Sequence, residues 1–343
     1  MKIPTPRGPV SAALLDLLVQ VPEPVVGGLS ELRTAAAEAV NASPDLLCDD
    51  DLQLGLFCLN VLHTDGIDGV DESWEWDVDL LGVRTVVECA FETALRERVL
   101  VPHCPAATTA AVSASLFELA AQDKNPGLSR YVATRATEEQ LAECLILRSI
   151  YVRQEADPHT WAIPRLRGRA KAALVEIQVD EYGGGRLELM HSELFAGTMQ
   201  GLGLDPTFGA YVDRVPAIIL ASSNLMSLFG LHRRLRGAIV GHLAAYEITS
   251  SAPSRSYGNG FRRLGHGDLS GYFDEHVEAD AVHEQIAARD LAGGLVEADP
   301  GTLDQVMFGA AAALAMDGWV TEQVLPAWTA GRSSLLHEQA AAH

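Results

Sequence analysis

No stretch of the 343-residue sequence approaches 18 uninterrupted apolar residues, so no segment is expected to cross a membrane as a helix. Positive charge is scarce. Only 25 Lys and Arg stand against 46 Asp and Glu, a formal net charge of −21 that argues against nucleic acid or an anionic membrane as partner. Cysteine is sparse as well. Cys48, Cys58, Cys89, Cys104 and Cys144 are odd in number and form no CxxC pair, which fits a reduced, cytoplasmic setting. The opening MKIPTPRGPVSAALLDLLVQ lacks the clean apolar core of a secretory signal, because prolines and Asp16 interrupt it. No GxGxxG or flavin fingerprint is found, so any redox chemistry must draw its electrons from outside the chain.

Strand-favouring clusters are few, whereas Ala, Leu, Glu, Gln and Arg recur in long runs; 48% of the residues are apolar. The expectation is an all-α protein with an ample core. Residues 1–135 read as a helical appendage that dimerises or covers the rest, with a homodimer as the expected assembly. Its acidic stretch HTDGIDGVDESWEWDVDL lacks the 12-residue ligand spacing of a calcium loop and reads as solvated. Residues 136–343 read as the catalytic part. TEEQLAECLILRSIYVRQEADPH is a capped amphipathic helix with Thr137 as N-cap. RGRAKAALVEIQVDEYGGGRLELMHSELFAGTMQGLGL is a second helical pattern interrupted by Gly183-Gly184-Gly185. SNLMSLFGLHRRLRGAIVGHLAAYEITSS is a third, apolar nearly all round and so central. SAPSRSYGNGFRRLG reads as a loop by composition. TLDQVMFGAAAALAMDGWVTEQVL closes the set as a helix.

The stretch YFDEHVEADAVHEQ carries the chemistry. In a helix, His276, Asp280 and His283 at i, i+4 and i+7 fall within roughly 60° of one another. Such a face is either wet surface or half of a metal site. Neighbouring segments offer Glu155, Glu181, His191 and Glu247. Four carboxylates and three imidazoles aimed inward from successive helices are how di-iron centres are built, because carboxylates can bridge two ions and neutral imidazoles add no charge. The paired E-x-x-H repeats of the ferritin-like design are missing, so a different helical fold is expected. His242 lies five residues before Glu247, about 140° round a helix. Neither it nor His159 is assigned to the set.

The series QEADPH, VDEYGGG with MHSELF, RLRGAIVGHLAAYE and EHVEADAVHE resembles the haem-oxygenase-like di-iron oxidase and oxygenase family over roughly residues 140–290. The resemblance implies a haem-oxygenase-like helical bundle and the ligands Glu155, Glu181, His191, Glu247, His276, Asp280 and His283, with Glu181 as a bridging or second-iron carboxylate. It further implies two Fe ions, O2 as co-substrate and an external reductant, supplied by a reductase or a small molecule. Members with the third histidine, here His276, look most like N-oxygenases. The expected reaction is therefore oxidation of an amine or guanidine nitrogen, in an amino acid or derived metabolite, to the hydroxylamine, nitroso or nitro level. Oxidation of a carbon chain, by decarboxylation, desaturation or C–C cleavage, is the alternative. The rearrangement that a following cupin domain performs in nitrosourea-forming members is not expected here.

Overall fold

The computed structural model describes residues 1–21, 28–123 and 127–336, and of residues 28 and 279–281 the backbone alone. The described residues form helices and no strand, a haem-oxygenase-like all-α fold. The helices are α1 (Pro9–Leu18), α2 (Gly28–Ala42), α3 (Asp50–Val61), α4 (Val78–Arg98), α5 (Thr109–Gln122), α6 (Leu128–Thr134), α7 (Glu138–Val152), α8 (Asp157–Thr160), α9 (Gly168–Glu181) and α10 (His191–Gly201). They continue with α11 (Ala217–Leu231), α12 (Arg236–Thr249), α13 (Ser251–Arg263), α14 (Gly271–Gln285), α15 (Gly294–Ala298) and α16 (Leu303–Thr329). No helix is long and apolar enough to cross a membrane.

Two compact units divide the chain. One comprises residues 1–98, 207–225 and 335–343, the other residues 99–206 and 226–334. The boundaries fall after Arg98, Pro206, Leu225 and Ser334. Residues 99–135 belong with the second unit because α6 packs on α13 and α5 packs on the π-helical turn Ile286–Gly293 that extends α14.

In the second unit, α7 starts as its sequence predicts. The Thr137 hydroxyl accepts from Gln140 N at 3.3 Å, the Gln140 side chain returns the bond to Thr137 N at 3.2 Å, and Glu138 and Glu139 fill the first turn. The predicted third helix is two helices. Arg165 donates to the last carbonyls of α11, Gly230 O and Leu231 O, which ends α11; a 3-10 turn at Arg233–Leu235 then starts α12. The segment read as a loop is α13. Pro253 sits in its first turn, where no helical N–H is needed, and Tyr257 and Phe261 bury one face. Arg263 holds the end of α13 to Val132 O and Ala136 O at 3.0 and 2.6 Å. Tertiary packing here overrides a composition rich in Ser and Gly.

Candidate metal centre

Glu155 does not ride on α7. It stands three residues beyond Val152, in the turn before α8. That turn is tied to α9 by Gln178, which donates to Ala156 O at 3.1 Å and Thr160 Oγ1 at 2.9 Å, and by the Tyr182 hydroxyl, which donates to Asp157 at 2.5 Å. Glu181 is the last residue of α9 and His191 the first of α10. The three glycines between them are a turn, each with positive φ. At Gly183 a side chain would also strike the Leu189 backbone at 2.5 Å. This tight return places Glu181 Oε2 3.0 Å from His191 Nδ1. Glu247 comes from α12, and His276 and His283 from α14.

These side chains converge in two groups. Donor atoms of Glu155, Glu181, His191 and His276 all lie within 4.8 Å of one another, and so do those of Glu181, Glu247 and His283. Glu181 belongs to both. All six residues are at most 8% exposed, which removes the reading of YFDEHVEADAVHEQ as a solvated face. The side chain of Asp280, the seventh predicted ligand, lies outside the described residues.

The imidazoles are oriented for lone-pair donation. His276 Nδ1 donates to the Tyr272 carbonyl at 2.8 Å, leaving Nε2 to face Glu155 Oε1 at 3.8 Å. His283 Nε2 donates to Asp180 Oδ2 at 2.9 Å, leaving Nδ1 toward Glu247 Oε2 at 3.4 Å. His191 Nδ1 and His283 Nδ1 are both buried without a hydrogen bond, although each has a carboxylate oxygen beside it. Three buried carboxylates repel one another, and lone pairs pointed at carboxylate oxygens repel too. A pair of cations between them would relieve both, so the residues present fit a metal pair. In the metal-free protein the carboxylates draw protons to the histidines instead. Burial lowers the His283 value, but Glu247 and then Asp180 outweigh it and push it up to about 9. His191 is raised by Glu181 against its burial. Burial raises Glu155, yet His276, His191 and the Tyr272 hydroxyl, which donates at 2.8 Å, hold it below the usual carboxylate range.

Two supporting residues escaped the sequence reading, Tyr272 and Asp180. Tyr272 lies one helical turn before His276, and Asp180 lies beside Glu181; only the spacing to an assigned ligand could have signalled either. The Asp180–His283 bond is of the kind that fixes a ligand histidine's tautomer. Asp180→Asn is expected to weaken metal binding by roughly 10–100-fold without abolishing it. Metal titration monitored by equilibrium dialysis checks this; unchanged affinity would show that the bond does not matter.

The two unassigned histidines pair with each other. His159 Nε2 and His242 Nδ1 are 3.1 Å apart and fully buried. Burial lowers His159 to about 4 from an ordinary 6.5, and burial and then the neighbouring His159 hold His242 well below 6.5. The unfolded chain thus takes up these protons before the folded one. The pair's contribution to stability is whole above pH 6.5 and falls as the pH drops toward 4, by roughly 3 kcal/mol for His159 alone. In urea denaturation at pH 7 and pH 4, His159→Gln should lose most of that part of the slope; an unchanged slope would contradict the neutral pair.

The family model described as iron-containing redox enzyme matches residues 142–318, just over half of the chain and a span that includes every predicted ligand. Nitrosourea synthase from Streptomyces achromogenes subsp. streptozoticus is 28% identical over 146 residues, which is 42% of this chain and 31% of that protein. The chain thus matches less than a third of that relative's length. With its buried carboxylate and histidine set within the matched span, the chain belongs to the iron-containing redox enzyme family and is an oxidoreductase.

Proposed function

We propose that the chain is a non-haem di-iron, O2-dependent N-oxygenase acting on an amine or guanidine nitrogen. The observation that carries the reading is that Glu181 belongs to both donor groups. Glu155, His191 and His276 would hold one iron, Glu247, His283 and Asp280 the other, with Glu181 shared; the place of Asp280 rests on the family resemblance. Two ferrous ions, when bound, supply electrons and open positions for O2. The chain's own groups do the rest. Tyr272 holds Glu155 through its hydroxyl, and Asp180 keeps the Nε2 proton on His283 so that Nδ1 stays a donor. Burial of the six described ligands keeps bulk water from competing for the open positions.

The overall step balances as amine plus O2 plus two electrons and two protons, giving hydroxylamine and water. The electrons come from a separate donor. Action at nitrogen rather than carbon is supported by the likeness to nitrosourea synthase and by the third histidine, His276. Incubation of the iron-loaded chain with candidate amines under ¹⁸O2 should place one labelled oxygen on nitrogen. Release of CO2 or an alkene from a carbon substrate, with no N–O product, would overturn the reading in favour of carbon-chain oxidation.

A further inference from the structure

Tyr272 meets two predicted ligands at once. Its hydroxyl donates to Glu155 Oε2 at 2.8 Å and lies 3.1 Å from Oε1. Its ring is tilted against that of His276, with centroids 4.4 Å apart. Phe195 and Phe273 meet the same ring edge to face at 5.0 and 5.1 Å. Tyr272 is 2% exposed, and both phenylalanines are fully buried. A phenol is one of the side chains that yields an electron most readily, and on yielding it the O–H becomes strongly acidic. In apolar surroundings that proton must have somewhere to go, because an unpaired buried charge is costly. At Tyr272 the acceptor is already in contact. An ionised carboxylate only accepts.

The next tyrosine along lacks such a partner. Tyr257 stands on the other side of Phe273, ring centroids 5.3 Å apart. The Arg148 guanidinium covers its ring at 5.1 Å, and a guanidinium accepts no proton. An electron taken from Tyr257 would leave its proton facing a cation, whereas one taken from Tyr272 leaves it beside an anion. The two phenols are therefore unequal, and Tyr272 is the one built to be oxidised.

We propose that Tyr272 is a redox-active residue that gives one electron and one proton to the centre when no amine is there to be oxidised, and then stands as a neutral phenoxyl radical. Complete reduction of O2 to two waters takes four electrons and four protons. The ferrous pair gives two electrons, the outside donor one, and Tyr272 the fourth. The Tyr272 O–H bond breaks, its proton passes to Glu155 Oε2, and water supplies the other three protons. One further electron and a proton from outside restore the phenol. The packed rings of Phe195 and Phe273 keep water and solutes from the radical. The inference rests on the di-iron half of the proposed function and goes beyond it. It gives the chain a place for an oxidising equivalent that finds no substrate.

The test is electron paramagnetic resonance of the full, Fe(II)-loaded chain, frozen after brief exposure to O2 without amine, with excess Fe(II) as the one-electron donor. Wild type should give an organic radical signal that narrows in protein grown on ring-deuterated tyrosine. Tyr272→Phe should lower that signal at least tenfold while keeping its two irons, and Tyr257→Phe should leave it within twofold. Where Tyr272→Phe fails to fold or to load, Tyr272→3-fluorotyrosine keeps the hydroxyl and should add a fluorine splitting, which Tyr257→3-fluorotyrosine should not. A signal indifferent to deuterated tyrosine, one that survives Tyr272→Phe, or no organic radical although the irons are oxidised overturns the inference; Tyr272 then only positions Glu155. Iron content keeps the two claims apart. A chain that takes up no iron pair sinks the di-iron reading and the radical with it, whereas an oxidised pair without a radical sinks the radical alone.

Discussion

Glu181→Ala should empty both halves of the centre at once. Every other carboxylate in the set serves one group of donors, so Glu155→Ala or Glu247→Ala removes ligands from one side and leaves the other with its own histidine. Glu181 serves both: its Oε2 stands 3.0 Å from His191 Nδ1, and it shares the second group with Glu247 and His283. The loss of affinity should exceed the roughly 10–100-fold typical of an outer-shell partner. Iron per chain, measured after gel filtration, should fall from about two to near zero, and O2 consumption should fall with it to background. Glu247→Ala should retain about one. If Glu181→Ala keeps one tightly bound iron, the shared-carboxylate geometry is wrong. Glu181→Asp, one methylene shorter, should fall between the two.

Gly241→Ala and Gly309→Ala should each destabilise the fold more than most single substitutions do. The helices α12 and α16 cross so closely that a Cβ on Gly241 would lie 1.9 Å from Val306 O, and one on Gly309 1.9 Å from Ala238 O. Both obstacles are backbone atoms and cannot rotate away. An Ala gains about 1 kcal/mol of helix propensity over Gly, whereas overpacking a core costs about 1–3 kcal/mol and occasionally more. The clash wins, because both obstacles are backbone, and a net loss of about 2 kcal/mol is expected. Thermal unfolding should shift down by roughly 4–8 °C. Gly197→Ala on α10, where nothing lies within 4 Å of the added Cβ, is the control and should be neutral or mildly stabilising. Because α12 carries Glu247, forcing it from α16 should also weaken the Glu247–His283 side of the centre. A stable Gly241→Ala with full iron content would contradict the close crossing.

How much of this was legible beforehand depended on whether the deciding interaction was local. The start of α7 was legible because its cap lies within four residues, Thr137 to Gln140. The face of α14 was legible because helical geometry alone sets His276 beside His283. Six of the seven predicted ligands can be placed, and all six are brought together; the glycine turn that folds Glu181 back on His191 was visible as a break but not as a device. The break between α11 and α12 was not legible, because it depends on Arg165, distant in sequence, capping Gly230 and Leu231. The helix α13 was hidden by a composition that favours loops, and what holds it is packing on α6. Asp180 and Tyr272 were missed for one reason. Their importance lies in what they touch, and a single charged or aromatic residue in a helix carries no sign of its partner.

The central claim, that one buried carboxylate joins two donor groups into a two-metal centre, is tested most directly by anaerobic Fe(II) titration of the metal-free chain, read by Mössbauer spectroscopy before and after brief exposure to O2. The account predicts saturation at two irons per chain and, after O2, an antiferromagnetically coupled di-ferric pair. Saturation at one iron, or two irons that show no coupling, would contradict it.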